Sequence, residues 1–232
     1  MHSSRRIKGV VLDKDGTLLD FHATWDATFG TVLAEFADAD ADLTAVLDRE
    51  LGFDRDAGRI LDDSPFVADS SAQFADKLAV LIGRPVGDAA LVDEIDESIT
   101  RYMPAVPTPE DGAGELLDAL RARGIPMAVA TNDNAERAAI QMAQLGWREH
   151  FTAIYGVESG HGEKPAPGMV VAAAAAMGLD PSDVAMVGDS STDTGAGAAA
   201  GAITVLYGGR ADLVDVADIV IGPLHELLDH LA

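Results

Sequence analysis

The chain has 232 residues, 48% of them hydrophobic, no cysteine and a formal net charge of −23. That length and apolar content supply a packed core for one α/β domain with a sizeable insertion, and they exclude a disordered chain, a disulfide scaffold, thiolate catalysis and Cys-ligated zinc. The acidic excess opposes nucleic acid and anionic membranes as partners, and no apolar run is long enough to span a bilayer.

The N-terminal stretch MHSSRRIKGVVLD passes straight into the first strand without the separate apolar region of a signal peptide, so a cytoplasmic location is expected. Val10, Val11 and Leu12 form a β-branched and aliphatic run, which predicts a buried parallel strand. The run ends at Asp13, and Asp15, Gly16 and Thr17 follow. Strand carboxyl ends are where open α/β sheets bind ligands, and Gly16 permits a sharp turn there. Two carboxylates this close repel one another, and burying them is costly without compensation. A divalent cation and a proton-transfer role each account for the pair. Strand alternation is expected to turn Lys14 away from Asp13 and Asp15.

Residues 21–104 lose the strand pattern. Helical stretches cover 24–38, 42–52, 71–83 and 89–103, with Gly52 and Gly83 where helix C-caps belong. This insertion holds 18 acidic residues against 6 basic ones, the composition of a solvated outer face. His22 and Trp25, at the first crossing, are assigned to core or hinge packing. Among the insertion's cations, Arg55, Arg59 and Arg101 are candidates to meet a substrate carboxylate.

From residue 105 strands and helices alternate. Thr108 is a candidate N-cap, with Pro109 in the first helical position and the helix closing on Gly124. Strand 125–131, helix 134–145, a short strand at 152–156, helix 167–177, strand 183–188 and helix 192–200 follow. Strands at 202–206 and 218–221 precede a terminal helix at 223–231. The repetition predicts an α/β protein whose core is a Rossmann-like doubly wound parallel sheet, formed by 1–20 and 105–232, with 21–104 as an all-helical insertion. The GAGAAAG run at 195–201 lacks the strand–glycine–helix order of a dinucleotide loop and is expected to serve close packing.

Four motifs carry a resemblance. DKDGTLLD at 13–20 resembles the first motif of the haloacid dehalogenase-like hydrolases. Thr131 ends the hydrophobic run of PMAVATND, as the second motif requires; Lys164 in EKPAPG matches the third; Asp189 and Asp193 in VGDSSTD match the fourth. They occur in the family's order and span nearly the whole chain. The resemblance implies that Asp13 is a nucleophile forming an aspartyl-phosphate and that Asp15 is the general acid and base. It implies Mg²⁺ held by Asp13, Asp189 and the main-chain carbonyl of Asp15, with Asp193 holding a metal-bound water or orienting Lys164. Thr131 and main-chain N–H groups from Asn132 would bind the phosphoryl oxygens, and Lys164 would neutralise the nucleophile and the transferring group. The position of the insertion, between the first and second motifs, is similar to the type 1 cap of phosphoglycolate phosphatase-like members, which closes over the site and helps select substrate.

The expected activity is hydrolysis of a small phosphorylated metabolite. A sugar phosphomutase shares the aspartyl-phosphate and stays open as an alternative. A non-hydrolytic phosphoacceptor or binding module is the other, although such modules are shorter and have no need of Asp15. Dehalogenases lack the second acid of the first motif, so Asp15 argues against that chemistry. Oligomeric state is not legible in the sequence.

Overall fold

The computed structural model describes residues 7–68, 70–209, 213 and 216–231. The chain divides into two compact units. One is Met1–Asp20 with Thr108–Ala232, and the other is Phe21–Pro107.

The first unit is built on a six-stranded parallel sheet. Its strands are β1 (Gly9–Leu12), β4 (Met127–Ala130), β5 (Phe151–Tyr155), β6 (Val184–Gly188), β7 (Ile203–Tyr207) and β8 (Ile219–Ile221), in spatial order β5-β4-β1-β6-β7-β8. Val10 pairs with Met127 on one side and Ala185 on the other. β1, β4 and β6 are buried along their whole length, as parallel strands covered on both faces must be. Alternation divides their side chains between two cores. Val10, Leu12, Met127, Val129, Ala185 and Val187 face one, and Val11, Ala128, Ala130 and Met186 face the other. The helices α6 (Ala113–Ala122), α7 (Ala135–Gln144), α8 (Gly168–Ala176) and α9 (Ser191–Ala200) connect the strands. α6 delivers Leu116, Leu117 and Leu120 to the first core; α8 and α9 deliver Met169, Ala173 and Ala196 to the second. Within GAGAAAG, a side chain at Gly197 would come within 2.9 Å of Met186 and Thr204, so the run serves close helix–sheet packing.

The chain runs outward from β1 through β4 to β5 and then returns to β1's other edge with β6. Strand order therefore reverses at β1, and the crevice beyond its carboxyl end is the ligand position of such sheets.

Two expectations in this unit are corrected. Thr108 does not cap a helix, and Pro109 does not begin one. Thr108 O accepts from Asp20 N–H (3.0 Å), Glu110 N–H donates to Leu18 O (2.9 Å), and Pro109 bridges to Leu19. The backbone groups of Leu18–Asp20 need partners, and this segment supplies them in extended form. α6 starts four residues later at Ala113, after Gly112 with φ 78°. The expected terminal helix is a run of 3₁₀ turns over Leu224–His230. Its three-residue period stacks Leu224 and Leu227 on one side, and both are buried in the first core.

The second unit contains α1 (Phe21–Phe36), α2 (Ala41–Leu51), α3 (Pro65–Ala68), α4 (Ser71–Ile82) and α5 (Ala89–Tyr102). Gly52 and Gly83 cap α2 and α4 in the left-handed region. The helices enclose their own core, including Trp25, Phe29, Leu33, Leu47, Phe74 and Leu91. The unit adds one element to its helices: β2 (Phe53–Asp54) and β3 (Arg59–Ile60) form an antiparallel ribbon. Phe53 and Ile60 point into the core, and Arg55 in the turn donates to Asp48 (2.5 and 2.7 Å) and to Gly30 O (3.2 Å). That burial and ion pair hold a ribbon too short to stand alone. Arg55 is thus engaged structurally, Arg101 pairs with Glu35 at 2.6 Å, and Arg59 lies 3.3 Å from His22 and 3.4 Å from Asp62. Among the described residues no helix is long and apolar enough to cross a membrane.

Candidate active site

Asp13 is the first residue beyond β1. Its N–H still donates to Val187 O (2.9 Å), so the sheet holds the backbone while the side chain enters the switch-point crevice. The chain then turns tightly: Lys14 O accepts from the N–H groups of Leu18 (2.8 Å) and Leu19 (2.9 Å), and Gly16 N–H donates to Leu19 O (2.8 Å). Gly16 has φ 79°, and a Cβ there would sit 2.5 Å from Asp189 Oδ2. Only glycine lets this loop pass so close to the carboxylate that follows β6.

Lys164 is buried and reaches across the crevice. Its Nζ donates to Asp13 Oδ1 and to Asp193 Oδ1, both at 2.6 Å. Asn132 fixes the lysine's backbone from both sides: Lys164 N–H donates to Asn132 Oδ1 (2.8 Å) and Asn132 Nδ2 donates to Lys164 O (2.9 Å). The resemblance points to the Asn132 main chain; what the structure adds is its side chain, which holds the backbone of Lys164. Thr131 is buried at the end of β4, its N–H donating to Tyr155 O (3.0 Å) and its Oγ1 accepting from Asp133 N–H (3.0 Å).

Asp193 lies in the first turn of α9 and is fully buried. Besides accepting from Lys164, it forms a capping box with Ser190, whose N–H donates to Asp193 Oδ2 (3.1 Å). A Cβ at Gly188 would clash with the Asp193 carboxylate, so the β6 terminus is shaped around it. Capping and lysine orientation coexist in this one side chain. Carboxylate oxygens of Asp13, Asp189 and Asp193 lie within 4.8 Å of one another.

The electrostatics follow from this crowding. Burial pushes the Asp13 carboxyl well above its ordinary value, Asp193 and Asp189 add to the rise, and Lys164 only partly offsets it. Burial and the neighbouring Asp193 push Asp189 up to about 6. For Lys164, burial acts downward, but Asp13 and Asp193 outweigh it and hold the ammonium above its ordinary value. Three acids cluster here and one lysine contacts two of them, Asp13 and Asp193, which leaves negative charge for a further cation to neutralise. Hard carboxylate oxygens around a glycine-lined gap fit a small divalent ion such as Mg²⁺.

Lys14 departs from the sequence expectation. It is 0% exposed, and its Nζ lies 2.6 Å from Asp15 Oδ2 and 2.9 Å from Asp133 Oδ2. Strand alternation stops applying at Asp13, where the chain turns, and the long lysine stem carries the charge back toward Asp15. Arg137 in α7 donates from Nε (2.8 Å) and Nη2 (2.6 Å) to Asp133 Oδ1. Burial would raise the Asp133 carboxyl, but Lys14 and Arg137 override it and lower it to about 2. Neither Asp133 nor Arg137 is singled out by the sequence. The only available signal was TND followed by Arg one helical turn later.

The model of the haloacid dehalogenase-like hydrolases matches residues 7–201, which take in all four motifs and the sheet from β1 to α9. The chain belongs to this family. A phosphoglycolate phosphatase from Neisseria meningitidis is 38% identical over 133 residues, 54% of this chain and 56% of that protein. The chain spans only 56% to 61% of the length of the first curated relatives it matches. Among solved structures, a predicted phosphoglycolate phosphatase from Haemophilus somnus superposes with TM-score 0.67 at 18% identity, covering 96% of this chain and 97% of that one. A β-phosphoglucomutase from Clostridium difficile superposes with TM-score 0.63 at 14% identity, covering 97% and 96%. Family members with phosphatase and mutase names therefore share this fold, and the fold does not choose between those reactions.

Proposed function

We propose that this chain is a Mg²⁺-dependent phosphomonoesterase that acts on a small phosphorylated metabolite through an aspartyl-phosphate on Asp13. The observation that carries the reading is the buried Lys164 bridging Asp13 and Asp193 at the switch point, with Asp15 two residues beyond the nucleophile. Asp13 attacks phosphorus as the ester P–O bond breaks, and Asp15 gives its proton to the departing oxygen. Asp15 then takes a proton from the water that attacks the aspartyl-phosphate, releasing inorganic phosphate and restoring Asp13. Lys164 counters charge on the nucleophile and the transferring group, and Thr131 with the Asn132 main chain binds phosphoryl oxygens. Asp13, Asp189 and the main-chain carbonyl of Asp15 would hold Mg²⁺, which supplies charge neutralisation at the phosphoryl oxygens.

The names of the curated relatives support phosphoglycolate, a small phosphorylated carboxylate, as the substrate class. We further assign Phe21–Pro107 as a specificity cap, since it holds none of these reacting groups. The test is release of inorganic phosphate from p-nitrophenyl phosphate and from a panel of phosphorylated metabolites. Activity should disappear with EDTA, return with Mg²⁺, and be lost in a folded Asp13→Asn variant. Metal-independent turnover, or an active Asp13→Asn protein, contradicts the reading. Phosphate returned to a sugar in the presence of a bisphosphorylated activator would mark a mutase instead.

A further inference from the structure

We propose that Lys14 is a positioning residue for Asp15, acting as the buried link in a charge ladder that runs Asp15–Lys14–Asp133–Arg137. The proposal rests on the assignment of Asp15 as acid and base.

The geometry leaves Lys14 little freedom. Its ammonium sits between Asp15 Oδ2 (2.6 Å) and Asp133 Oδ2 (2.9 Å) with no exposure of the side chain to solvent. The far end is anchored in turn. Two guanidinium nitrogens of Arg137 and the N–H of Asn134 (2.7 Å) converge on Asp133 Oδ1, leaving Oδ2 to face Lys14. Asp133 is also fixed through its backbone, because Val157 N–H donates to its carbonyl (3.2 Å). The ladder thus ties the Asp15 carboxylate to the N-terminus of α7 and the loop after β5.

Packing alone does not account for a lysine here. Burying an ammonium costs several kcal/mol, and an apolar side chain of similar volume would fill the space without that cost. Electrostatics give the reason for the charge. Four carboxylates, Asp13, Asp15, Asp189 and Asp193, crowd one crevice. Lys164 contacts Asp13 and Asp193, and Lys14 contacts Asp15, so the two lysines each offset part of the mutual repulsion. A proton donor has to lie within about 2.6–3.2 Å of the oxygen it protonates, and a displacement of about 1 Å costs up to roughly 100-fold in rate.

The experiment compares two esters by kcat/KM, which reports the steps up to formation of the aspartyl-phosphate. An alkyl ester, glycerol 2-phosphate, needs its leaving oxygen protonated; 2,4-dinitrophenyl phosphate does not. The alkyl-to-aryl ratio comes from a single preparation, so the fraction of folded enzyme cancels. Asp15→Asn should collapse the ratio. Lys14→Met should lower it by about 10- to 100-fold, and Lys14→Arg should recover part of the loss. Asp133→Asn, which weakens the second anchor of Lys14, should lower it in the same direction. A wild-type ratio in Lys14→Met or Asp133→Asn, alongside a collapsed ratio in Asp15→Asn, overturns the ladder while leaving Asp15 as the acid. A wild-type ratio in Asp15→Asn removes the acid assignment and the ladder with it.

Discussion

Two lysines divide the acids of the crevice between them: Asp13 and Asp193 contact Lys164, while Asp15 and Asp133 contact Lys14. Asp189 is in an ion pair with neither among the described residues, and its carboxyl is pushed up to about 6 from an ordinary 3.8. The sign of the linkage is therefore unfavourable to the metal-free fold. Its folded pKa lies above the unfolded one, so its contribution is complete below about pH 4 and is lost as pH rises through 6. Two pH units correspond to about 3 kcal/mol. A divalent cation reverses this by favouring the ionised carboxylate. Without divalent cations the thermal midpoint should contain a component that falls between pH 4 and pH 6. Mg²⁺ should raise the midpoint more at pH 7 than at pH 5. Equal Mg²⁺ shifts at the two pH values would contradict Asp189 as a ligand. The acids of the crevice were legible from their places in the motifs: Asp13 and Asp189 directly follow strands, Asp15 lies in the turn after β1, and Asp193 opens a helix. Lys14 was not, because period-2 alternation describes a strand and the chain leaves the strand at Asp13. The side-chain role of Asn132 was hidden as well, since its partner is 32 residues away at Lys164.

Among the elements, α9 joins stability to the site most directly. Ser190 caps it, and the same serine holds Asp193, which in turn holds Lys164. Ser190→Ala should cost about 1 kcal/mol in a denaturant titration through the lost cap. It should also lower kcat on the order of tenfold by loosening Asp193 and Lys164. A loss of stability with unchanged kcat would show that the cap and the lysine orientation are separable. Most strands and helices of the sheet unit follow from apolar runs, proline and glycine in the sequence. The start of α6 did not, because Thr108–Pro109 is an equally good helix opening and only pairing with Leu18–Asp20 decides against it. The ribbon of β2 and β3 was invisible for another reason: two-residue strands have no periodicity to detect, and the Asp48–Arg55 pair that braces them is a tertiary contact.

At the scale of the molecule, the unit Phe21–Pro107 has its own apolar core, and among the described residues the acids and lysines gathered at the crevice, Asp13, Asp15, Asp189, Asp193, Lys14 and Lys164, belong to the other unit. Replacing it with a short linker should alter substrate choice more than chemistry. A folded replacement should still release phosphate from p-nitrophenyl phosphate while losing discrimination among phosphorylated metabolites; an unchanged metabolite preference would show that the unit does not set specificity. The net charge of −23 repels anions at a distance, so on the proposed function attraction has to be local, from Lys164 and the Mg²⁺ it would work with. All of this depends on Asp13 becoming phosphorylated. The most direct measurement is to quench the enzyme during turnover, reduce the acyl-phosphate with borohydride and map the product by mass spectrometry. The account predicts homoserine in place of Asp13 in the peptide that spans β1. Active enzyme that yields no homoserine at residue 13, or yields it at another aspartate, would contradict it.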